Sequence, residues 1–293
     1  MQLTILAKSA EMPELNSLKG FLQGEGVGVA QTKALPVPKT LEGQRSALRL
    51  SLTGDTSQLD PRDIVLSGLK DGVDANLHSA KEHAPDIKLA VFDMDSTLIQ
   101  CEVIDELAKH AGVGDRVVDI TERAMRGELD FNESFTERLG LVNGLDARVA
   151  HKIAASLPFS EGAHELMLTL RARGVRTVVL SGGFDVFADS VINRLKMDEY
   201  VANTLEIVDD KLTGRVVPPI VNADEKRARL MAIAKSMSID LSQTMAVGDG
   251  ANDLKMLQAA GIGIAFRAKP VVREQARYQL THVGLDGALY LMG

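Results

Sequence analysis

Tryptophan is absent from this chain, and aromatic residues of every kind make up only 4% of it. That scarcity argues against stacking platforms for bases or sugars. Cysteine occurs once, at Cys101, which excludes an internal disulfide framework and a thiolate zinc site. No run approaches the roughly 18 apolar residues of a membrane span. The N-terminus also lacks the basic stretch and apolar core of an export signal. A net charge of -7 leaves no basic footprint for nucleic acid or an anionic membrane. A soluble, cytoplasmic protein that engages neither is therefore expected. What the chain does have is 293 residues, 45% hydrophobic, enough for one large or two medium domains.

The hydrophobic pattern divides near residue 83. Before it, Gln2-Leu3-Thr4-Ile5-Leu6-Ala7 reads as a strand, 12–22 as a helix, and 27–30 and 46–52 as alternating strands. Asp60-Pro61 opens a second helix, with proline in its first turn, and 76–81 reads as a last strand. The order βαββαβ predicts a small ferredoxin-like α+β domain over 1–82. The polar segment His83-Ala84-Pro85 reads as the linker. From 85 to 293 strands alternate with long helical stretches, which predicts a doubly wound α/β core built on a parallel sheet. Its strands are expected at 89–92, 176–180, 244–247 and 261–266, and ligands in such sheets bind beyond the strands' carboxyl ends.

Three of those ends carry chemistry. Leu89-Ala90-Val91-Phe92 runs into Asp93-Met94-Asp95-Ser96-Thr97. Two acids one residue apart at the lip of a buried strand repel each other unless a cation neutralises them, and oxygen ligands suit Mg²⁺. An aspartate there can also attack phosphorus. Val178-Val179-Leu180 runs into Ser181-Gly182-Gly183, a hydroxyl and two glycines whose N–H groups can close on an anion. Val247-Gly248 runs into Asp249-Gly250-Ala251-Asn252-Asp253, where Asp249 can complete a metal shell while Asn252 and Asp253 orient ligands around it. Lys226, at the start of the preceding helix, can neutralise a phosphoryl–aspartate pair, with Arg227 beside it as a competitor.

Between Asp93 and Ser181 lie roughly fifty residues more than the ~30 that a strand–helix–strand crossover needs. They carry helical apolar spacing and predict a helical cap, about 101–160, over the site. A second insertion, 205–217, reads as a β-hairpin. The six histidines (His78, His83, His110, His151, His164 and His282) never pair at ligand spacing.

Asp93-Met94-Asp95-Ser96-Thr97, Ser181-Gly182-Gly183, Lys226 and Gly248-Asp249-Gly250-Ala251-Asn252-Asp253 resemble, in order, the four motifs of the haloacid dehalogenase superfamily. Within it, about 85–290 is similar to the phosphoserine phosphatases. The resemblance implies a Mg²⁺-dependent hydrolysis of O-phospho-L-serine to L-serine and phosphate, the last step of serine biosynthesis. Asp93 would be the nucleophile and Asp95 the general acid and base. Ser181, Gly182, Lys226 and Asn252 would hold the phosphate. The metal would sit on Asp93, Asp249 and the backbone carbonyl of Asp95, with Asp253 behind them. The resemblance places the amine-binding acid at Glu102, the carboxylate-binding arginine at Arg138, and apolar cap contacts at Met125 and Phe131. The N-terminal module resembles amino-acid-binding regulatory domains of the ACT type, which implies dimerisation and a response to serine. Two other readings fit the same motifs. One is a phosphotransferase that uses another alcohol, such as homoserine, as acceptor; the other is an amino-acid sensor on a vestigial phosphatase fold.

Overall fold

A computed structural model describes residues 1–78 and 86–292, apart from the side chain of Met125. The expected linker His83-Ala84-Pro85, and the stretch 79–81 assigned to a strand, lie outside the described residues. The N-terminal part follows the order β1 (Gln2–Ala7), α1 (Asn16–Gly24), β2 (Gly28–Ala34), β3 (Ser46–Thr53), α2 (Pro61–Lys70) and β4 (Asp74–His78). The strands form an antiparallel sheet in the order β2-β3-β1-β4. The first helix begins later than 12 because Met12 and Pro13 sit in the turn before it. The second starts where expected: Asp60 accepts the Arg62 N–H at 2.8 Å, and Pro61 occupies the first turn. Leu3, Ile5, Leu50, Leu52, Ala75 and Leu77 pack with Leu18, Leu22 and Ile64 of the helices into one core.

The strands alternate, so the opposite face carries Thr4, Leu6, Ala47, Arg49, Asp74, Asn76 and His78. That face is not solvated. Leu6 and Ala47 belong to the core of the larger part of the molecule, and the polar residues are bonded into it, as described in the Discussion.

The larger part holds a seven-stranded sheet in the order β11-β10-β9-β5-β6-β7-β8. Its central strand, β5 (Leu89–Phe92), lies between β6 (Arg176–Phe184) and β9 (Thr244–Gly248), parallel to both, and all four of its residues are fully buried. Helices α3 (Val103–His110), α4 (Gly114–Met125), α5 (Phe131–Gly140) and α6 (Ala147–Ala155) follow β5. The crossover helix α7 (Ala163–Ala172) then leads into β6. Beyond β6 come α8 (Asp185–Leu195), β7 (Glu199–Val208) and β8 (Lys211–Val217). After α9 (Ala223–Ser236) and β9, the chain ends in α10 (Leu254–Ala259), β10 (Ile262–Phe266), α11 (Pro270–Arg273), β11 (Tyr278–Leu280) and α12 (Ala288–Leu291).

Two strands were not anticipated in the parallel sheet. The first arm of the expected hairpin, β7, also pairs in parallel with β6, so the hairpin extends the main sheet. The three-residue β11, too short to show a period, pairs with β10 at the other edge. Among the described residues no helix is long and apolar enough to cross a membrane.

Candidate active site

The site forms where β5, β6 and β9 end together. Backbone pairing continues one residue past β5, since the Asp93 N–H donates to the Val247 carbonyl at 2.9 Å. This fixes Asp93 at the sheet's lip, with the residue only 5% exposed. The chain then turns sharply through Met94–Leu98, and Ser96 takes a left-handed φ of 56°. Two bonds hold that turn to the start of α3. The Ser96 hydroxyl donates to Glu102 at 2.9 Å, and Asp95 accepts the Val103 N–H at 2.9 Å. The acid loop and the base of the first helix that follows it are thus one unit.

Lys226 is fully buried beneath the acids. Its ammonium donates to Asp93 at 2.7 Å and to Asp253 at 2.6 Å. Asp253 is held on both sides, because its other oxygen accepts the N–H groups of Asp249 (3.1 Å) and Gly250 (2.9 Å). Gly248 is required for this closure, since a Cβ there would lie 2.5 Å from the Asp253 carboxyl carbon. Thr97, also fully buried, donates to Asp249 at 3.0 Å. Of the two candidates for this cation, Lys226 occupies the place and Arg227 lies on the exposed side of the helix.

On β6 the Ser181 hydroxyl accepts the Gly183 N–H at 2.8 Å. Buried Asn203 braces this turn, donating to the Gly182 carbonyl and accepting the Val221 N–H, each at 2.8 Å. A Cβ on Gly183 would sit 2.5 Å from an Asp95 oxygen. Glycine is there because the acid approaches the backbone.

The electrostatics show an excess of buried negative charge. Asp93, Asp95, Asp249 and Asp253 are all buried, and one buried ammonium faces them. Burial and the neighbouring Asp253 push Asp93 well above the usual carboxylate range, only partly offset by Lys226. Burial, then Glu102 and Asp93, do the same to Asp95. Burial and Asp253 carry Asp249 up to about 7. Burial opposes charge on Lys226, but Asp253 and Asp93 outweigh it and raise its pKa. Oxygens of Asp93, Asp249 and Asp253 lie within 4.8 Å of one another, close enough to share an ion. Asp253 is committed to three protein donors, whereas Asp93 and Asp249 each keep one oxygen without a hydrogen bond among the described residues. A hard divalent cation fits that oxygen set and that charge deficit.

The lip opens into a cavity of about 770 Å³. Asp93, Asp95, Asp249, Gly182 and Asn252 line it, together with Glu102, Phe131 and Arg138 of the cap. Phe131 stacks on Phe135, with centroids 6.1 Å apart, and Phe135 meets Phe184 of β6 at 5.8 Å. α5 thereby rests its aromatic edge on the sheet end. Its first turn is secured by reciprocal bonds of 2.8 Å between Asp130 and Glu133. The side chain of Met125 lies outside the described residues. Arg227 apart, every other candidate singled out from the sequence borders this cavity or the buried cluster under it.

A sequence model of the haloacid dehalogenase-like hydrolases matches residues 90–258. The chain belongs to this family. A phosphoserine phosphatase of Streptococcus thermophilus is 49% identical over 197 residues, covering 67% of this chain and 92% of that protein. One from Streptomyces coelicolor is 49% identical over 222 residues, 76% of this chain, although the match spans only 54% of that longer protein. The crystal structure of a hydrolase of the same family from Salmonella enterica serovar Typhi superposes on the whole of this chain and 99% of its own, with a TM-score of 0.86 at 31% identity.

Sequence reasoning left several contributors to this hydrolase's site unassigned. Thr97 stood inside a quoted motif without a role, although a hydroxyl two residues beyond an acid is a fair signal. Asp105, one turn beyond Glu102 on α3, had none, and neither had Asn203 and Lys269, which reach the site through tertiary packing.

Proposed function

We propose that the protein is a Mg²⁺-dependent phosphatase that hydrolyses O-phospho-L-serine to L-serine and phosphate. The observation that carries this reading is one cavity in which Asp93, seated on Lys226, faces Glu102 and Arg138. Phosphoserine presents three charged groups, and this cavity offers a partner for each. The phosphate would meet Ser181, the Gly182 N–H, Asn252 and Lys226; the ammonium would meet Glu102. Arg138 would grip the carboxylate with its fork of donors.

In this reading Asp93 attacks phosphorus in line and forms an aspartyl-phosphate as the seryl oxygen leaves. Burial, then the neighbouring Glu102 and Asp93, raise Asp95 well above the usual carboxylate range, which suits it to carry the proton that the leaving oxygen requires. It then recovers a proton from the water that cleaves the aspartyl-phosphate. Lys226 keeps one Asp93 oxygen paired and balances charge on the equatorial oxygens. Asp93, Asp249 and the Asp95 carbonyl would hold Mg²⁺, which supplies Lewis-acid neutralisation of the phosphate when bound. The Asp93 oxygen left free by Lys226 and the Asp249 oxygen left free by Thr97 are the atoms suited to it.

The N-terminal module would serve as a dimer contact. Its β4 edge lies against β11, while every residue of β2, the other edge, is exposed. Open edges of this kind pair readily with a second copy. A single cysteine suits a reducing compartment, and we place the enzyme in the cytoplasm.

Phosphate release from a panel of phosphomonoesters, with and without Mg²⁺, tests the reading. Phosphoserine should be the preferred substrate and activity should vanish with chelator. Turnover that requires a second alcohol and transfers the phosphate to it would indicate a phosphotransferase instead.

A further inference from the structure

The cavity's electrostatics pose a problem for an anionic substrate. Asp93, Asp95, Glu102, Asp105, Asp130 and Asp249 all line it, and only two lining residues are cationic, Arg138 and Lys269. Lys226 is fully buried beneath Asp93, its ammonium already paired with Asp93 and Asp253. A phosphate dianion entering this cavity therefore meets mostly acidic side chains. Like charge at a binding mouth slows encounter, and a well-placed cation raises it.

Lys269 stands where that cation is needed. Its backbone N–H donates to the Asp249 carbonyl at 3.0 Å, so its Cα is tied to the strand end that carries this acid. Pro270 follows and starts α11, which restricts the backbone on the other side. The root of the side chain is thus fixed, while the residue itself is solvent-exposed at the lip. No carboxylate lies within ion-pair distance of its ammonium among the described residues, unlike Lys8, Lys88, Lys109 and Lys255. Arg138 and Lys269 occupy different walls, one on α5 and the other beyond β10.

We propose that Lys269 is a substrate-binding residue that meets the phosphate group at the cavity mouth, whatever alcohol the phosphate is esterified to. This assignment rests on the phosphatase reading above and adds a division of labour to it. Arg138 reads the carboxylate, Lys269 the phosphate.

The test compares wild type with Lys269→Gln and Lys269→Arg in the full chain with Mg²⁺, using phosphoserine and p-nitrophenyl phosphate. Lys269→Gln should lower kcat/KM about tenfold on both substrates at low salt, within the range of electrostatic steering. It should also flatten the salt dependence and leave kcat within about twofold of wild type. Lys269→Arg should restore most of the loss. Calorimetry with inorganic phosphate, which needs no turnover, should show weaker binding to Lys269→Gln by a similar factor. Unchanged phosphate affinity and salt dependence would overturn the assignment. So would a fall in kcat that Lys269→Arg shares, since that would mark a structural role through Asp249. A wild type that binds phosphate through Lys269 but ignores phosphoserine would overturn the substrate reading and leave this one standing.

Discussion

The side-chain amide of Asn76 bonds both backbone groups of Gln279, donating to its carbonyl at 2.9 Å and accepting its N–H at 2.8 Å. Asn76 lies on β4 and Gln279 on β11, so a side chain of one sheet completes the edge of the other. Asp74 continues the seal by accepting the N–H groups of Thr281, His282 and Val283 at 2.8 to 3.0 Å. Arg49 donates to the Tyr290 carbonyl at 2.6 Å, and Arg45 pairs with buried Asp286 at 3.2 Å. An exposed strand edge invites aggregation. Here the small antiparallel sheet is what covers it.

Asn76→Ala should therefore destabilise the whole molecule. It strands two buried backbone groups, each costing about 1–3 kcal/mol. Thermal unfolding should show a lowered Tm with catalytic constants at room temperature close to wild type. An unchanged Tm would mean that this pair does not hold the two sheets together.

Glu161 gives the same junction a pH dependence. It accepts from Lys8 at 2.7 Å, Arg45 at 2.7 Å and Arg267 at 2.9 Å. Burial alone would raise its pKa, but these three cations hold it down at about 2. A carboxylate whose folded pKa is depressed stabilises fully above its unfolded value, about 4.5, and loses that contribution as pH falls toward the folded one. Glu161→Gln should thus melt below wild type at neutral pH, with the gap closing between about pH 4.5 and 2. A gap that persists at the acid end would show that the loss comes from packing.

Gly183→Ala tests the approach of the backbone to Asp95. The added Cβ would lie 2.5 Å from an Asp95 oxygen and 2.8 Å from the Met94 methyl group. Displacing the proton donor by a fraction of an ångström to one ångström can cost up to about 10² in rate. We expect a kcat loss of about tenfold or more with a near-normal Tm. Wild-type turnover would show that the loop yields without consequence.

Asp253 supports the site without touching the cavity. Its two oxygens hold Lys226 and the N–H groups of Asp249 and Gly250. Loss of such supporting partners typically costs about 10- to 100-fold in metal affinity or activity. Asp253→Ala should weaken Mg²⁺ dependence by that factor, measured as the Mg²⁺ concentration for half-maximal phosphate release. An unshifted Mg²⁺ requirement would remove Asp253 from the metal's support.

Much of this was legible in the chain because chemistry adjoins apolar runs. Leu89 to Phe92 is buried on both faces, so Asp93 had to emerge at a sheet edge, and the runs before Ser181 and Asp249 end alike. Capping made α2 readable from Asp60-Pro61, whereas the cap helices were legible only as helical apolar spacing, and the Asp130–Glu133 box that starts α5 was not singled out. What escaped has no local mark. Tyr278–Leu280 is too short for periodicity, and its partner Asn76 lies 203 positions away. The polar residues Thr4, Asn76 and His78 likewise carry no local sign in the sequence that they are buried. Only the tertiary structure shows what buries them. Lys269 is one lysine before a proline, a pair without meaning until its N–H is seen on Asp249.

Arg138 carries the last prediction. It borders the cavity, yet its one recorded bond is from Nε to the Ser134 carbonyl of its own helix, at 3.3 Å. Its terminal guanidinium nitrogens are unpaired among the described residues, aligned by α5 and available for a carboxylate. Removing one member of a buried charge contact costs about 2–5 kcal/mol. Arg138→Ala should reduce kcat/KM for phosphoserine by that amount, chiefly through KM, while phosphoethanolamine, which lacks the carboxylate, is turned over as by wild type. Glu102 should discriminate the other way, since phosphoethanolamine keeps the ammonium; Glu102→Gln should depress both. That variant also alters the acceptor of the Ser96 hydroxyl, so its kcat is expected to fall as well, whereas Arg138→Ala should leave kcat nearly intact. Equal losses on both substrates in Arg138→Ala would show that the residue braces the helix and does not read the substrate.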